Sequence, residues 1–395
     1  MAAGGALRRP GASTAIAAVS VALALGIAGC ATTPAGSVSG QTSPSVATSP
    51  AASSEVAKVP EGRIAYMRVD ADKVERYFTV DTDGTNEHKL FETQHCACIG
   101  WDPTGTVLWT TTETDGFVRF TTMDPDGRNK VVYTPDIATL NLAPGFGSAD
   151  GRYLGLFGWD DSDESRLGLW VARTDLTDLH QVAAAPEGTI AVEPIGMSHD
   201  GAHIYFLGDL GPNTDNQFHH AGNVYVVASD GTGLRQLNPS GTKTEVTGTG
   251  VSVDGRQFAF TAWQAGGAAA HGNAMFIVDG ADAVARRVTD WTVGMWGASW
   301  APGGEWVGYS SDGDATGVIS VMRPDGSAAK SITPSDTSVA SFGPVWSPDG
   351  KHLLIRRGDF HKNDLWIMDL DGRLVWQVTR QPSSYDVYDW APAAS

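Results

Sequence analysis

The chain has 395 residues, 42% of them hydrophobic and 18% charged, which is enough apolar material for a sizeable core. A formal charge of −18 excludes nucleic acid as a partner, because a polyphosphate needs clustered Lys and Arg to release its counterions. With 47 Gly, 20 Pro and 13 Trp, the composition argues for many short strands joined by turns, against a helical bundle.

In chain order, the first element is a basic stretch (Arg8, Arg9), then an apolar run from Ala15 to Ile27, then a small-residue site ending at Cys30. The run is short for a membrane span and reads as an export signal. The residues Ile27-Ala28-Gly29-Cys30, preceded by Leu25 and Gly26, resemble the lipobox of bacterial lipoproteins. That resemblance implies cleavage before Cys30 and diacylglycerol on its sulfur, with each buried methylene contributing roughly 0.8 kcal/mol of anchoring. Residues 1–29 are then the signal peptide, and the mature head is expected on the outer face of the cell membrane, or at the outer membrane in a Gram-negative host. An ordinary secretory signal with a cysteine at its cleavage site is the plainer alternative.

Residues 30–59 are mostly Ala, Ser, Thr, Pro and Gly, with almost nothing large and apolar to offset ordering entropy. They read as a flexible tether. Beyond it, Cys96 and Cys98 flank Ala97. They are either two small hydrophobes on one strand face or a disulfide at the strained limit of bridge geometry. A metal site would need two more ligands than His95 supplies.

Residues 60–395 are governed by repetition. One frame ends in a turn glycine: Trp101-Asp102-Pro103-Thr104-Gly105, Gly147-Ser148-Ala149-Asp150-Gly151, Met197-Ser198-His199-Asp200-Gly201, Val251-Ser252-Val253-Asp254-Gly255, Trp300-Ala301-Pro302-Gly303-Gly304 and Trp346-Ser347-Pro348-Asp349-Gly350. A truncated copy closes the series at Asp389-Trp390-Ala391-Pro392. The glycines recur 46–54 residues apart, the length of a four-stranded blade. A second frame runs between them, as in Trp366-Ile367-Met368-Asp369-Leu370-Asp371-Gly372 and Val321-Met322-Arg323-Pro324-Asp325-Gly326. Asp-Gly between apolar strands predicts a tight hairpin, since glycine accepts positive φ without a Cβ clash. The Asp-x-Asp-Gly strings superficially suggest calcium loops but lack the distal bidentate glutamate.

The Trp346–Lys351 string, followed by the Ile-Met-Asp-Leu-Asp-Gly hairpin, resembles the WD40-like repeat of TolB-type β-propellers. The resemblance implies an all-β fold: a seven-bladed β-propeller of four-stranded antiparallel blades. Gly147 and Val251 stand where tryptophan would be expected. The first blade, Arg63 to Leu90, has material for three strands, and Tyr388 to Pro392 is expected to supply its missing innermost strand. Closure of that kind pairs otherwise open edges.

In such a blade both Asp-Gly hairpins emerge on one face, and the longer middle loops share the other. Those loops carry the candidate binding rim: Asp160 in blade three, His219 and His220 in blade four, Trp263 and His271 in blade five, and His361 in blade seven. Four histidines beside carboxylates raise metal binding or acid–base catalysis, but loops of three separate blades need not converge. There is no Gly-x-Ser-x-Gly elbow, phosphate loop, His-Glu-x-x-His or dinucleotide fingerprint, so no catalytic residue, metal or cofactor is assigned. The expectation is a non-catalytic binding or scaffolding module with a monomeric head, recognising an envelope protein or a glycan. The competing class is an enzyme or carbohydrate-binding protein acting on an extracellular polymer through the inserted loops.

Overall fold

The computed structural model describes residues 59–391 apart from 94–98, 103, 149, 213–219, 245–248, 265–272, 281–283, 292–294, 314–315, 334–338, 360–361 and 382. Seven antiparallel sheets succeed one another, and the one helical segment among the described residues is a 3-10 turn, Glu164–Arg166. Each blade runs from an innermost strand outward. Blade two is Ile99–Trp101, Leu108–Thr114, Phe117–Met123 and Val131–Val132; blade three is Asn141–Gly147, Tyr153–Trp159, Gly168–Arg173 and His180–Ala184. Blade four is Ala191–Met197, His203–Pro212, His220–Ala228 and Arg235–Gln236. Blade six is Met295–Trp300, Val307–Gly313, Thr316–Met322 and Lys330–Ser331; blade seven is Ser341–Trp346, His352–Asp359, Lys362–Asp369 and Leu374–Gln377. Blade five departs from this pattern. Its inner edge is split into Thr242–Lys243 and Thr249–Val251, which pair with opposite ends of Gln257–Gln264, followed by Asn273–Asp279 and Arg286–Arg287.

Blade one is assembled from both ends of the propeller. Ser384–Trp390 lies innermost beside Arg63–Val69, with Glu75–Asp81 and His88–Thr93 outside. Ile64 pairs with Trp390, Ala65 with Asp389 and Tyr66 with Tyr388, and the Ala391 N–H donates to the Arg63 carbonyl at 2.9 Å. The expected closure is therefore present, and the closing strand is longer than the five residues anticipated.

Apolar residues fill the spaces between neighbouring blades. Ile64, Tyr66, Phe78 and Tyr385 pack with Leu354, Leu365 and Ile367 of blade seven. Tyr205, Leu207 and Val224 of blade four meet Phe258, Phe260 and Phe276 of blade five. A fully buried side chain of this size contributes roughly 1.5–3 kcal/mol.

The repeated Ser and Asp form the turns. Ser347 Oγ donates to Asp349 (2.5 Å) and accepts the His352 N–H (3.0 Å), while Asp349 accepts the Lys351 N–H (3.0 Å). The same set recurs at Ser198 and Asp200 and at Ser252 and Asp254. In the outer hairpins Asp83, Asp175 and Asp230 each accept the N–H and hydroxyl of the threonine two residues on. These carboxylates are occupied by their own turns, as the hairpin reading anticipated. Gly326, at φ 87°, shows why the last turn position is glycine: a Cβ there would lie 2.3 Å from the Val288 carbonyl oxygen.

The tryptophans ending the inner strands staple one blade to the one before. Trp346 Nε1 donates to the Ser299 carbonyl and Trp300 Nε1 to the Gly250 carbonyl, both at 3.0 Å, and Trp101 Nε1 donates to the Asp389 carbonyl at 3.3 Å. Blades three, four and five end the same strand with Gly147, Met197 and Val251 and have no indole to donate. Trp390 is buried with its indole nitrogen unpartnered, against Gly62.

Both kinds of Asp-Gly hairpin open on one face of the ring, the turn face. The middle loops and the blade-to-blade connections open on the other, the loop face. Because Arg63 pairs beside Trp390 at the turn end of blade one, the chain enters the propeller on the turn face.

Candidate binding site

The described rim candidates differ in their surroundings. Asp160 has a side chain only 1% exposed. Its carboxylate accepts bonds from the hydroxyls of Thr139 and Ser162, the Ser162 N–H and the Arg166 guanidinium, each at 2.6–2.9 Å. Burial alone would raise its pKa, but these donors outweigh it and hold the group at about 2. Asp160 therefore shapes its own loop. Trp263 lies half-buried on the loop-face end of its strand, paired with Lys243 on one side and Asn273 on the other. The His220 backbone pairs with Pro212 in blade four. His219, His271 and His361 lie outside the described residues, as do Cys30, Cys96 and Cys98.

A polar cavity of about 510 Å³ lies between blades four and five and includes Lys243, the strand partner of Trp263. Asn223, Gln236, Asn238, Ser240, Gly241, Thr242 and Lys243 line it. It lies on the loop face because Asn223 follows the middle loop of blade four and residues 238–243 begin the connection to blade five. Asn238 organises it. Its Oδ1 accepts the Val224 N–H at 2.9 Å, and its Nδ2 donates to Asn223 Oδ1 (3.2 Å) and to the Thr242 carbonyl (2.9 Å). Lys243 Nζ donates to the same Asn223 oxygen at 3.2 Å, and burial lowers its pKa. Cross-strand partners share a face of a sheet, which sets the Trp263 ring beside Lys243.

Sequence reasoning did not single out Asn223, Asn238, Thr242 or Lys243, yet a signal existed. Thr289, Thr333 and Thr379 follow the outer strands of blades five, six and seven, and each Oγ1 accepts a third-strand N–H at 2.9 Å, fourteen residues back. Blade four puts Asn238 at that position with the same spacing and distance. The asparagine keeps the repeat's bond and adds an amine arm.

A second departure is buried nearby. Glu193 lies on the innermost strand of blade four opposite Leu207, where the corresponding register positions hold Ala143, Trp296 and Phe342. Burial, reinforced by the charge of Asp209, raises its pKa well above the usual carboxylate value, and its Oε2 has no partner. Among the described residues no three His, Cys, Asp or Glu side chains are grouped closely enough to hold a metal ion. No helix of the described residues is long and apolar enough to cross a membrane.

No family model and no curated protein sequence matches the chain. Solved structures do. TolB from Acinetobacter baumannii is 16% identical with a TM-score of 0.50, covering 84% of this chain and 67% of TolB. The β-propeller domain of the Trilobed protease from Pyrococcus furiosus is 12% identical with a TM-score of 0.54, covering 81% of this chain and 94% of the domain. Puromycin hydrolase is 15% identical with a TM-score of 0.56; the match covers 82% of this chain but only 52% of the hydrolase. The chain is a seven-bladed propeller with a TolB-like fold, and at these identities the likeness extends to the fold alone.

Proposed function

We propose that this propeller is an exported, lipid-anchored binding module that recognises a component of the bacterial cell envelope through its loop face. The observation that supports this most is the asymmetry between the two faces. Turn-face aspartates are consumed by hairpin hydrogen bonds, whereas the loop face carries the long insertions and a solvent-open cavity with amide, hydroxyl and ammonium groups. Variable loops on a rigid ring are a common seat of recognition. The anchor rests on the lipobox-like residues Ile27 to Cys30. Cys30→Ser should abolish incorporation of labelled fatty acid and release the head from the membrane fraction. Retention of label in that variant removes the anchor from the proposal.

Recognition is tested by comparing the two faces. Capture of envelope components should fall on loop-face changes such as Trp263→Ala and Asn223→Ala and persist in the turn-face variants Asp83→Ala and Asp230→Ala. Equal losses from both faces would overturn the assignment of the site. The polar cavity also favours the carbohydrate-binding half of the alternative reading.

A further inference from the structure

Blade four departs from the repeat at Asn238, which faces Asn223 across the same cavity. Where Asn223 stands, the corresponding register positions hold Arg76, Arg119 and Asp364 in blades one, two and seven, and Gly168, Ala274 and Val318 in blades three, five and six. Where Asn238 stands, blades five, six and seven hold threonine. Neither asparagine is needed to form a blade, since the other blades close without them.

Together they fix a rigid polar wall. Asn238 joins the third strand of blade four to the connection at Thr242, and Thr242 closes that connection with its hydroxyl on the Pro239 carbonyl at 2.7 Å. Gln236 adds a bond from Nε2 to the Asn238 carbonyl at 3.1 Å. The donors of Asn238 are spent on these bonds, which hold the backbone and the neighbouring Lys243, Gln236 and Ser240 groups at fixed positions, so less ordering cost remains on binding. All seven lining residues are polar or glycine, which suits a hydroxyl-rich ligand better than an acyl chain. Trp263, beside Lys243, supplies a flat apolar face at the margin.

We propose that this cavity binds a saccharide unit, with the Lys243, Gln236 and Ser240 side chains bonding its hydroxyls on the wall that Asn223 and Asn238 hold in place, and Trp263 packing against a sugar face. This deepens the recognition reading above and rests on it for the choice of face. Sugar rings combine dense hydroxyls with small apolar C–H faces, which matches polar groups bordered by one aromatic ring. A cavity of about 510 Å³ lies within the size range of small-ligand sites. With a chain charge of −18, a neutral sugar is favoured over a polyanionic one.

The test is ligand-observed NMR on the full chain at millimolar concentrations of three probes: cellobiose, N,N′-diacetylchitobiose and a digalacturonate. Binding of one or both neutral disaccharides is expected, weakened about tenfold or more by Asn238→Thr and by Lys243→Met. Asn238→Thr restores the residue of the other blades, so its melting temperature should stay within about 2 °C of wild type. Binding of none of the three, binding of digalacturonate alone, or binding unchanged in both variants overturns the proposal. Envelope capture that persists in Asn238→Thr while sugar binding is lost, or the reverse, separates failure of this inference from failure of the broader reading.

Discussion

At the scale of single residues, carboxyl groups divide into two populations with opposite pH behaviour. Asp83, Asp230 and Asp325 are held below the usual aspartate range by hydrogen bonds from Thr85, Thr232 and Ser327. Groups of this kind stabilise the fold above their unfolded pKa, and that stability is lost as pH falls through and below the ordinary carboxylate range. Asp389 behaves in the opposite way. Burial at the junction of blades one and two raises it from 3.8 to about 6, against the lowering effect of the Trp101 and Trp390 N–H groups. Its favourable contribution is complete below its unfolded pKa and is lost as pH rises from there through about 6. Asp389→Asn should therefore raise stability at neutral pH by about 1–2 kcal/mol, a gain that fades toward about pH 4. Denaturant melts at several pH values would check this, and a gain independent of pH would refute the assignment. Glu193→Gln should act in the same direction at neutral pH, because that carboxyl is also raised and has an unpartnered oxygen.

At the scale of elements, the inner-strand tryptophans matter for their indole nitrogens as well as their area. Trp346→Phe and Trp300→Phe keep most of the apolar surface but leave the Ser299 and Gly250 carbonyls without that donor. Each should cost about 1 kcal/mol for the lost bond, in addition to any packing change. Trp390→Phe should cost less, since its nitrogen donates to nothing; chemical denaturation midpoints would rank the three. The turn Asp-Gly pairs and the staple tryptophans were legible in the sequence because they recur at fixed spacing and each serves a local need. The cavity was not. Asn223, Asn238 and Lys243 are ordinary loop-edge residues until strand pairing shows which positions correspond, and the connection carrying Asn238 was not among the loops chosen for their length. Asp160 was chosen for its carboxylate-rich loop, whereas Thr139, some twenty residues away in sequence, helps hold it in place.

At the scale of the whole molecule, the ring depends on a seven-residue strand. Ser384–Trp390 completes blade one, and Tyr385 and Trp390 join the core shared with blade seven. A chain stopped after Gln381 would expose the Arg63–Val69 edge on one side and the blade-seven core on the other. It should lose its cooperative melting transition and become sensitive to proteolysis, measured by circular dichroism and limited digestion. Retention of a sharp melt would mean that six blades and three strands suffice. The number of blades and this closure could be read from glycine spacing and the unmatched first blade, because both are matters of counting.

The course of blade one also fixes the face by which the disc is held. The polypeptide enters the disc beside Trp390, on the side where the hairpins open, so a leash running back from Val59 to a bilayer leaves from the underside. The cavity between blades four and five opens on the reverse side. A head moored through Cys30 would then be leashed by its hairpin face, which leaves the asparagine-lined cup on the face opposite the attachment.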